Sequence, residues 1–231
     1  MFTLSPEEQQ IIGMSLKVAA TATLFSLPPG VALAYLLSRY SFPGKALLSG
    51  LTHLPLILPP VVTGYALLLL FGRSGPLGRL LEPMGIVFAF DWTGAALAAA
   101  VMGFPLLVRA VRLSFDMVDP RIESAAETLG ARPIVRFLTI TLPLALPGVA
   151  AGTVLAFAKA LGEFGATITF VASIPGETRT LPLAIYSLTQ APDGEAALLR
   201  LVLISVGVSI GALVLSEWGA RSVARRVGGM R

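Results

Sequence analysis

The sequence predicts an all-α polytopic membrane protein with about five transmembrane helices. Of its 231 residues, 55% are hydrophobic and only 13% are charged. An average soluble domain has about 25% charged residues, and half that share could not cover a water-exposed surface of this size. The apolar residues are spread over the whole chain, with a mean hydropathy of +0.82. We therefore expect one transmembrane domain over residues 1–231, with a core of 11–219 and no separate soluble domain.

Apolar stretches near 20 residues long define the spans, because that length crosses a bilayer as a helix. They cover residues 11–37, 46–71, 92–111, 137–161 and 201–218. Ahead of the first, Ser5, Pro6 and Glu8 form a capping pattern that predicts a helix start outside the lipid. Two apolar segments, 164–174 and 180–188, are too short to cross and are predicted to be broken, re-entrant or interfacial pieces.

The distribution of basic residues predicts the orientation. Eleven of the 17 Lys and Arg residues fall in the loops and tail of one side, four fall on the other, and Lys17 and Lys159 fall within spans. Cytoplasmic loops carry the excess of positive charge. The N-terminus is therefore expected outside and the C-terminus in the cytoplasm. The eleven are Arg39, Lys45, Arg109, Arg112, Arg121, Arg132, Arg136, Arg221, Arg225, Arg226 and Arg231.

Proline and glycine are predicted to interrupt most of the spans. Such broken helices pack in a bundle or line a cavity, although ordinary kinking stays an alternative for any single proline. Two G-x-x-x-G pairs allow close helix packing, either within the subunit or between two copies. The residues concerned are Pro28, Pro29 and Gly30, then Pro55, Pro59, Pro60 and Gly64, then Pro105, then Pro143, Pro147 and Gly148, with the pairs at Gly148 and Gly152 and at Gly207 and Gly211.

The sequence offers few Cys or His side chains for catalysis or metal binding. The chain has no Cys and a single His, His53, which argues against thiolate, redox and multi-histidine metal sites. Lys17 and Lys159 are expected to snorkel to the outer surface. Glu163 is expected either to lie at a gate or to pair with Lys159 at i, i+4 spacing.

The cytoplasmic loop 112–136 is predicted to contain a short helix over 120–129. Asp119 and Pro120 have the pattern of a helix start, and Gly130 that of a stop. Small and apolar residues recur along one face at Ile122, Ala125, Ala126 and Leu129. This face could enter a groove of a partner, or it could lie on the headgroups or on the protein's own helix ends.

The same loop resembles that of permeases of ATP-binding-cassette importers. These share Glu-Ala-Ala, three residues, Gly, nine residues, Ile, one residue and Leu-Pro. Here Ala125, Ala126, Gly130 and the Ile140 to Pro143 segment fit the pattern at full spacing, and Ser124 stands where the family has Glu. The likeness extends over nearly the whole chain and is closest to the molybdate importer permeases, toward which the 175–180 segment points; the sulfate permeases are near relatives with the same overall plan. The supporting stretches are residues 53–65, 161–167 and 175–180.

The resemblance implies a type I importer fold, a homodimer in the cell inner membrane, an external molybdate-binding protein and a cytoplasmic ATPase dimer. The chain has no G-x-x-x-x-G-K-[ST] sequence, so ATP and Mg²⁺ are expected on the ATPase, and this chain is expected to bind no cofactor or metal and to catalyse no reaction. Coupling to the ATPase is assigned by resemblance to Asp119, Pro120, Arg121, Ile122, Glu123, Ser124, Ala125, Ala126, Glu127, Leu129 and Gly130.

The translocation pathway is expected, again by resemblance, along the second and fourth spans. A dianion held by several fixed cations would not be released, so hydroxyl and backbone N–H groups are expected to line the route. The assigned residues are Pro59, Pro60, Thr63, Gly64, Glu163, Phe164, Gly165, Thr167 and Thr169.

Other functions stay open. A sulfate, thiosulfate or tungstate permease fits every physical argument equally well. A secondary transporter is disfavoured, since acidic residues near the bilayer midplane and internal repeats are not evident. An intramembrane enzyme is disfavoured because the sequence lacks G-x-S-x-G and H-E-x-x-H patterns.

Overall fold

The structure, a computed structural model, describes residues 4–191 and 194–228, with side chains described as far as residue 214. Every regular element of this part of the chain is helical. The side chains at the end of the predicted fifth span and in the basic tail at Arg221, Arg225, Arg226 and Arg231 lie outside the described residues.

Eleven helices, a 3₁₀ turn and a π-helical turn follow one another in these described ranges. They are α1 (Pro6–Arg39), α2 (Lys45–Ile57), α3 (Pro60–Phe71), α4 (Pro76–Leu81), the 3₁₀ turn (Glu82–Met84), α5 (Trp92–Asp116), α6 (Pro120–Thr128), α7 (Pro133–Arg136), the π-helical turn (Phe137–Thr141), α8 (Leu142–Leu161), α9 (Gly165–Val171), α10 (Leu181–Thr189) and α11 (Glu195–Gly228).

Four of these helical segments are long and apolar enough to cross a membrane, and α2 with α3 gives a fifth crossing if the bent pair counts as one. The four are α1, α5, the segment 133–161 and α11. The predicted all-α architecture with about five crossings is therefore confirmed.

The first helix starts as predicted and continues further than predicted. The Ser5 hydroxyl accepts from the Glu8 N–H at 3.2 Å, and the Glu8 carboxylate accepts from the Ser5 N–H at 2.8 Å, which completes the capping box. The predicted interruption at Pro28 and Pro29 is wrong, because α1 continues through both. Proline holds φ near the helical value, and a membrane helix tolerates the lost N–H donors where other helices pack against it, as α5 does here.

The second span is not the continuous segment 46–71. Helices α2 and α3 are separate and bent by 113° relative to each other. Leu58 is extended, with φ −70° and ψ 144°, which is the conformation favoured before a proline. The break falls at Pro59 and Pro60, whereas Pro55 lies inside α2 without ending it.

The remaining spans differ from the prediction at their ends. Helix α5 extends to Asp116, so the cytoplasmic loop begins after this residue and not at 112. The fourth span begins before 137, because α7, the π-helical turn and α8 are continuous. The π-helical turn lies just ahead of Pro143, whose ring would clash with the carbonyl four residues earlier in a regular helix.

Helices α1, α5 and α8 form the centre of the bundle, and α5 packs along both of the others. Small residues of α5, including Ala95, Ala98 and Ala99, fill the outer half of the core with Phe170 and Val171 of α9. The inner half contains larger side chains, namely Leu37 of α1, Leu107, Val111 and Phe115 of α5, and Val149 of α8.

Glycines set the distance between α5 and α8. A Cβ on Gly148 would overlap the Ser114 side chain, and a Cβ on Gly152 would lie 3.1 Å from the Leu107 carbonyl oxygen. The first G-x-x-x-G pair therefore packs within the subunit. A Cβ on Gly207 or Gly211 would meet nothing within 4 Å.

Ion pairs fasten the outer end of α1 to distant parts of the chain. The Glu8 carboxylate, 4% exposed, accepts from Arg200 Nε of α11 at 2.9 Å. Glu7 pairs with Arg179 in the loop before α10 at 3.2 Å. Two turns further along α1, the Ser15 hydroxyl accepts from the Leu181 N–H.

The α5–α8 contact predicts that Gly148→Ala destabilises the fold. The added methyl group must displace Ser114 in a packed interface, and overpacking of this kind costs about 1–3 kcal/mol. Thermal unfolding of the purified protein in detergent measures the effect. Gly207→Ala is the matched control, because its methyl group enters open space and raises helix propensity. Equal melting temperatures for the two variants would contradict the assigned packing.

Candidate functional site

Helix α6, in the loop expected to face the cytoplasm, begins as the sequence predicts. The Asp119 carboxylate accepts from the Arg121 N–H at 2.9 Å, and Pro120 occupies the first helical position. The helix ends at Thr128, and Gly130 adopts a φ of +82°, the left-handed conformation that glycine favours. The loop therefore holds a rigid, capped helix of two and a half turns.

The two faces of α6 have different environments. Ile122, Ala125 and Leu129 are exposed, Leu129 to 88%. Ala126 is buried against the chain together with Glu123, so the predicted single stripe is wrong at Ala126. The reason is the Glu123 carboxylate, whose ion pair turns this side of the helix toward the rest of the protein.

Glu123 lies at the base of α6 in a polar cluster. The residue is 8% exposed, and its Oε1 atom accepts from Arg39 Nε at 3.0 Å and from the Thr141 hydroxyl at 3.0 Å. Ser124, at the position where importer permeases have Glu, points outward and donates to the Pro120 carbonyl. Relative to the importer pattern, the acidic residue is thus one position earlier, at Glu123, and its side chain faces inward.

The other charged residues of the loop are nearer the surface. Glu127 accepts from Arg136 Nη1 at 2.7 Å, and its side chain is 70% exposed. Arg121 is exposed. The exposed apolar side chains of Ile122 and Leu129 therefore lie on a surface that is bordered by charged side chains.

Sequence reasoning missed Arg39 and Thr141 as parts of this site. Arg39 is the last residue of α1, and Thr141 the last residue of the π-helical turn. Thr141 does lie within the Ile140 to Pro143 segment of the importer pattern, and this is the one sequence signal that points to it. Arg39 entered only as one basic residue among the eleven that set the orientation.

A second cluster lies where α3 meets α9. A Cβ on Gly64 would lie 2.8 Å from the Ala166 Cα, and a Cβ on Gly165 would lie 2.7 Å from the Pro60 Cβ. The break in the second span is therefore covered by the short helix that follows the fourth. Of the predicted pathway residues, the structure thus places Pro60 against Gly165, and Gly64 against the residue that follows Gly165.

Threonine hydroxyls of this cluster are partly free. Thr63 is buried on α3, and its hydroxyl has no hydrogen-bond partner in the described part of the chain. Thr167 is buried on α9, and the Thr169 hydroxyl donates to the Gly165 carbonyl at 2.9 Å. Thr63 thus contributes a hydroxyl with unused hydrogen-bonding capacity to this contact.

Glu163 joins α8 to α9. The residue is 3% exposed, one carboxylate oxygen pairs with Lys159 Nζ at 2.5 Å, and the other accepts from the Ala166 N–H at 3.0 Å. The i, i+4 pair with Lys159 is therefore present, and it neutralises the carboxylate. The N–H at the start of α9, one of the groups expected to face an anion, is already bound to Glu163.

Two neighbouring side chains complete the outer region. The Phe164 ring packs on Tyr186 of α10 with centroids 4.9 Å apart. Lys17 Nζ lies 3.5 Å from the centroid of the Trp92 ring, at the outer start of α5. In the described residues, His, Asp and Glu side chains form no group of three or more that could hold a metal ion.

Comparison with known proteins agrees with this architecture. The family described as "Binding-protein-dependent transport system inner membrane component" matches residues 26–227. The molybdenum transport system permease protein ModB of Escherichia coli K12 is 57% identical over 99% of this chain and all of its own length. The ModB protein of Haemophilus influenzae is 51% identical over 96% of this chain and 97% of its own.

A further relative and a solved structure are less similar in sequence. The sulfate transport system permease protein CysT of Salmonella typhimurium is 36% identical over 84% of this chain and 70% of its own. A bacterial ABC transporter involved in alginate import matches in structure with a TM-score of 0.72 over 96% of this chain and 80% of that chain, at 19% identity.

A full-length relative at 57% identity and a family model covering most of the chain fix the classification, and the bundle of apolar helices accounts for its place in the membrane. The chain belongs to the family of binding-protein-dependent transport system inner membrane components, and it is a multi-pass inner-membrane permease.

Proposed function

We propose that this chain is the permease subunit of an ATP-driven molybdate importer. The observation that carries the cargo assignment is the 57% identity, over the full length, to a permease named for molybdenum transport. The relative named for sulfate transport is less similar, at 36% identity over a shorter part of both chains. Molybdate and sulfate are both tetrahedral dianions, so sulfate is the alternative cargo to test.

The pathway is proposed to lie on the axis of a homodimer, beside the contact between α3 and α9. Five crossings are few for a gated route within one subunit, whereas two copies can enclose one. The free hydroxyl of Thr63 can donate to an oxyanion there. Glu163, paired with Lys159, adds no net charge to trap or repel the anion.

Energy is proposed to come from a separate cytoplasmic ATPase dimer, because the sequence has no nucleotide-binding loop. The exposed residues Ile122, Ala125 and Leu129 of α6 form an apolar surface that a groove of the ATPase can receive. Closure of the ATPase would move α6, and rocking of the helices would open the route to alternate sides. An external binding protein is proposed to deliver molybdate and set selectivity.

Deletion of the gene is expected to abolish accumulation of molybdenum at submicromolar external molybdate. Elemental analysis of cellular molybdenum, tungsten and sulfur measures this. The intact gene should restore molybdenum. Unchanged molybdenum with lowered sulfur would reassign the cargo to sulfate and refute the molybdate proposal.

Leu129→Glu is expected to release the ATPase while leaving the permease in the membrane. Because Leu129 is 88% exposed, a carboxylate at this position costs the isolated permease little stability. Burial of the same carboxylate in an apolar groove of the partner is costly. Copurification of the ATPase with the tagged permease measures the effect. Leu80→Glu, on the exposed surface of α4 at the outer side, is the matched control. Normal ATPase recovery with Leu129→Glu would contradict docking through α6.

Gly64→Ala is expected to lower molybdate uptake by about tenfold or more, since displacement of about 1 Å in a positioned site is enough for such losses. The methyl group would meet the Ala166 backbone and push α3 away from α9. Uptake of labelled molybdate by vesicles containing equal amounts of permease measures it. Gly13→Ala, whose methyl group enters open space on α1, is the control. Equal uptake by the two variants would place the pathway elsewhere.

A further inference from the structure

The inner end of α1 is a junction between four parts of the chain. Arg39 Nη2 donates to the Val118 carbonyl at 3.1 Å, in the segment that connects α5 to α6. The same guanidinium pairs with Glu123 of α6, with Nη2 at 2.9 Å from Oε1. One arginine on α1 thus holds both the linker and the base of α6.

Thr141 extends this junction to the fourth span. Its hydroxyl, in a residue with no solvent exposure, donates to the same Glu123 oxygen that accepts from Arg39. Thr141 lies in the π-helical turn, and such turns are frequent at functional sites. Both hydrogen bonds are made to the Oε1 atom of Glu123. Movement of Glu123 therefore displaces Arg39 at the end of α1 and Thr141 just ahead of α8 together.

Ser38 extends the junction to α5. Its hydroxyl donates to the Asp116 carboxylate at 2.5 Å, and Arg39 Nη1 lies 3.4 Å from the Ser38 oxygen. Asp116 is the last residue of α5. The ends of α1 and α5 are thus fixed to each other by polar contacts beside the ion pair.

Burial distinguishes this ion pair from the other pair on α6. The Arg39 and Glu123 side chains are 14% and 11% exposed, whereas Glu127, paired with Arg136, is 70% exposed. Water can replace a partner at the surface, so an exposed pair transmits little force. Separation of the inner pair would leave a buried carboxylate without compensation, so the two residues must move together.

We infer that Arg39 is a positioning residue that makes α1, α6 and the π-helical turn move as one unit. Displacement of α6 then shifts the inner ends of the first and fourth spans together, without a separate contact from the partner to either span. The inference rests on the proposed function in one respect, namely that a cytoplasmic ATPase moves α6.

The test compares Arg39→Gln, Glu123→Gln, the double variant and Arg39→Lys. Each is purified with the ATPase, reconstituted in liposomes with the molybdate-binding protein, and assayed for uptake and for ATP hydrolysis. Arg109→Gln is the matched control, since it removes a guanidinium from the exposed surface of α5. Hydrogen exchange of residues 119–129 in the purified permease alone provides a readout that depends on neither cargo nor ATPase.

Both single Gln variants are expected to keep the ATPase bound and hydrolysing ATP, while uptake per ATP falls by about tenfold or more. The double variant should lose no more than either single variant, because the two residues act through one interaction. Arg39→Lys should recover most of the coupling, and Arg109→Gln should match the wild type. Exchange in α6 should be about tenfold faster in the Gln variants, because its attachment to α1 is lost.

Unchanged uptake per ATP in both Gln variants would overturn the inference, and so would unchanged exchange in α6. Loss of ATPase binding in these variants would assign the pair to docking and also overturn it. If the wild type carries sulfate or no oxyanion at all, the proposed cargo fails, and the exchange measurement still decides whether Arg39 fixes α6.

Discussion

The bilayer core offers no water to satisfy backbone polar groups, and this constraint explains where the chain is helical and where it is not. Each interruption of a span is covered by another part of the protein. The break at Pro59 and Pro60 lies under α9, at the contact marked by Gly64 and Gly165. The break after α8 is bridged by Glu163, whose carboxylate accepts from the Ala166 N–H in the first turn of α9. Irregular backbone thus occurs where packing can compensate for it, and the candidate pathway is built from these places.

Much of the fold could be predicted from local patterns. The capping box at Ser5, the helix start at Asp119 and the stop at Gly130 are short-range signals, and all three hold in the structure. The approximate number of crossings followed from apolar length alone. Local patterns did not distinguish prolines that interrupt a helix from prolines that do not. Pro28 and Pro29 leave α1 intact, whereas α2 ends just before Pro59. The difference depends on which helices pack alongside, and one sequence does not reveal that.

The site was less predictable, because its central contacts join distant residues. Glu123 pairs with Arg39, 84 residues earlier, and with Thr141, 18 residues later. No periodicity relates these positions. The face of α6 that is buried follows from that pairing, so the apolar pattern alone placed Ala126 on the wrong side. At α3 and α9, by contrast, glycine and proline clusters did mark the residues that meet, since close approach of two backbones requires small side chains.

The ion pair between Glu8 and Arg200 has a consequence for how the protein is made. The two residues are 192 positions apart, so the first helix enters the membrane long before its partner has been synthesised. Until α11 is inserted, a carboxylate that ends 4% exposed must remain in contact with water or headgroups. Its burial therefore requires that α11 has been inserted. A chain arrested before α11 would leave one oxygen of the Glu8 carboxylate without its guanidinium partner, while the other oxygen still accepts from the Ser5 N–H.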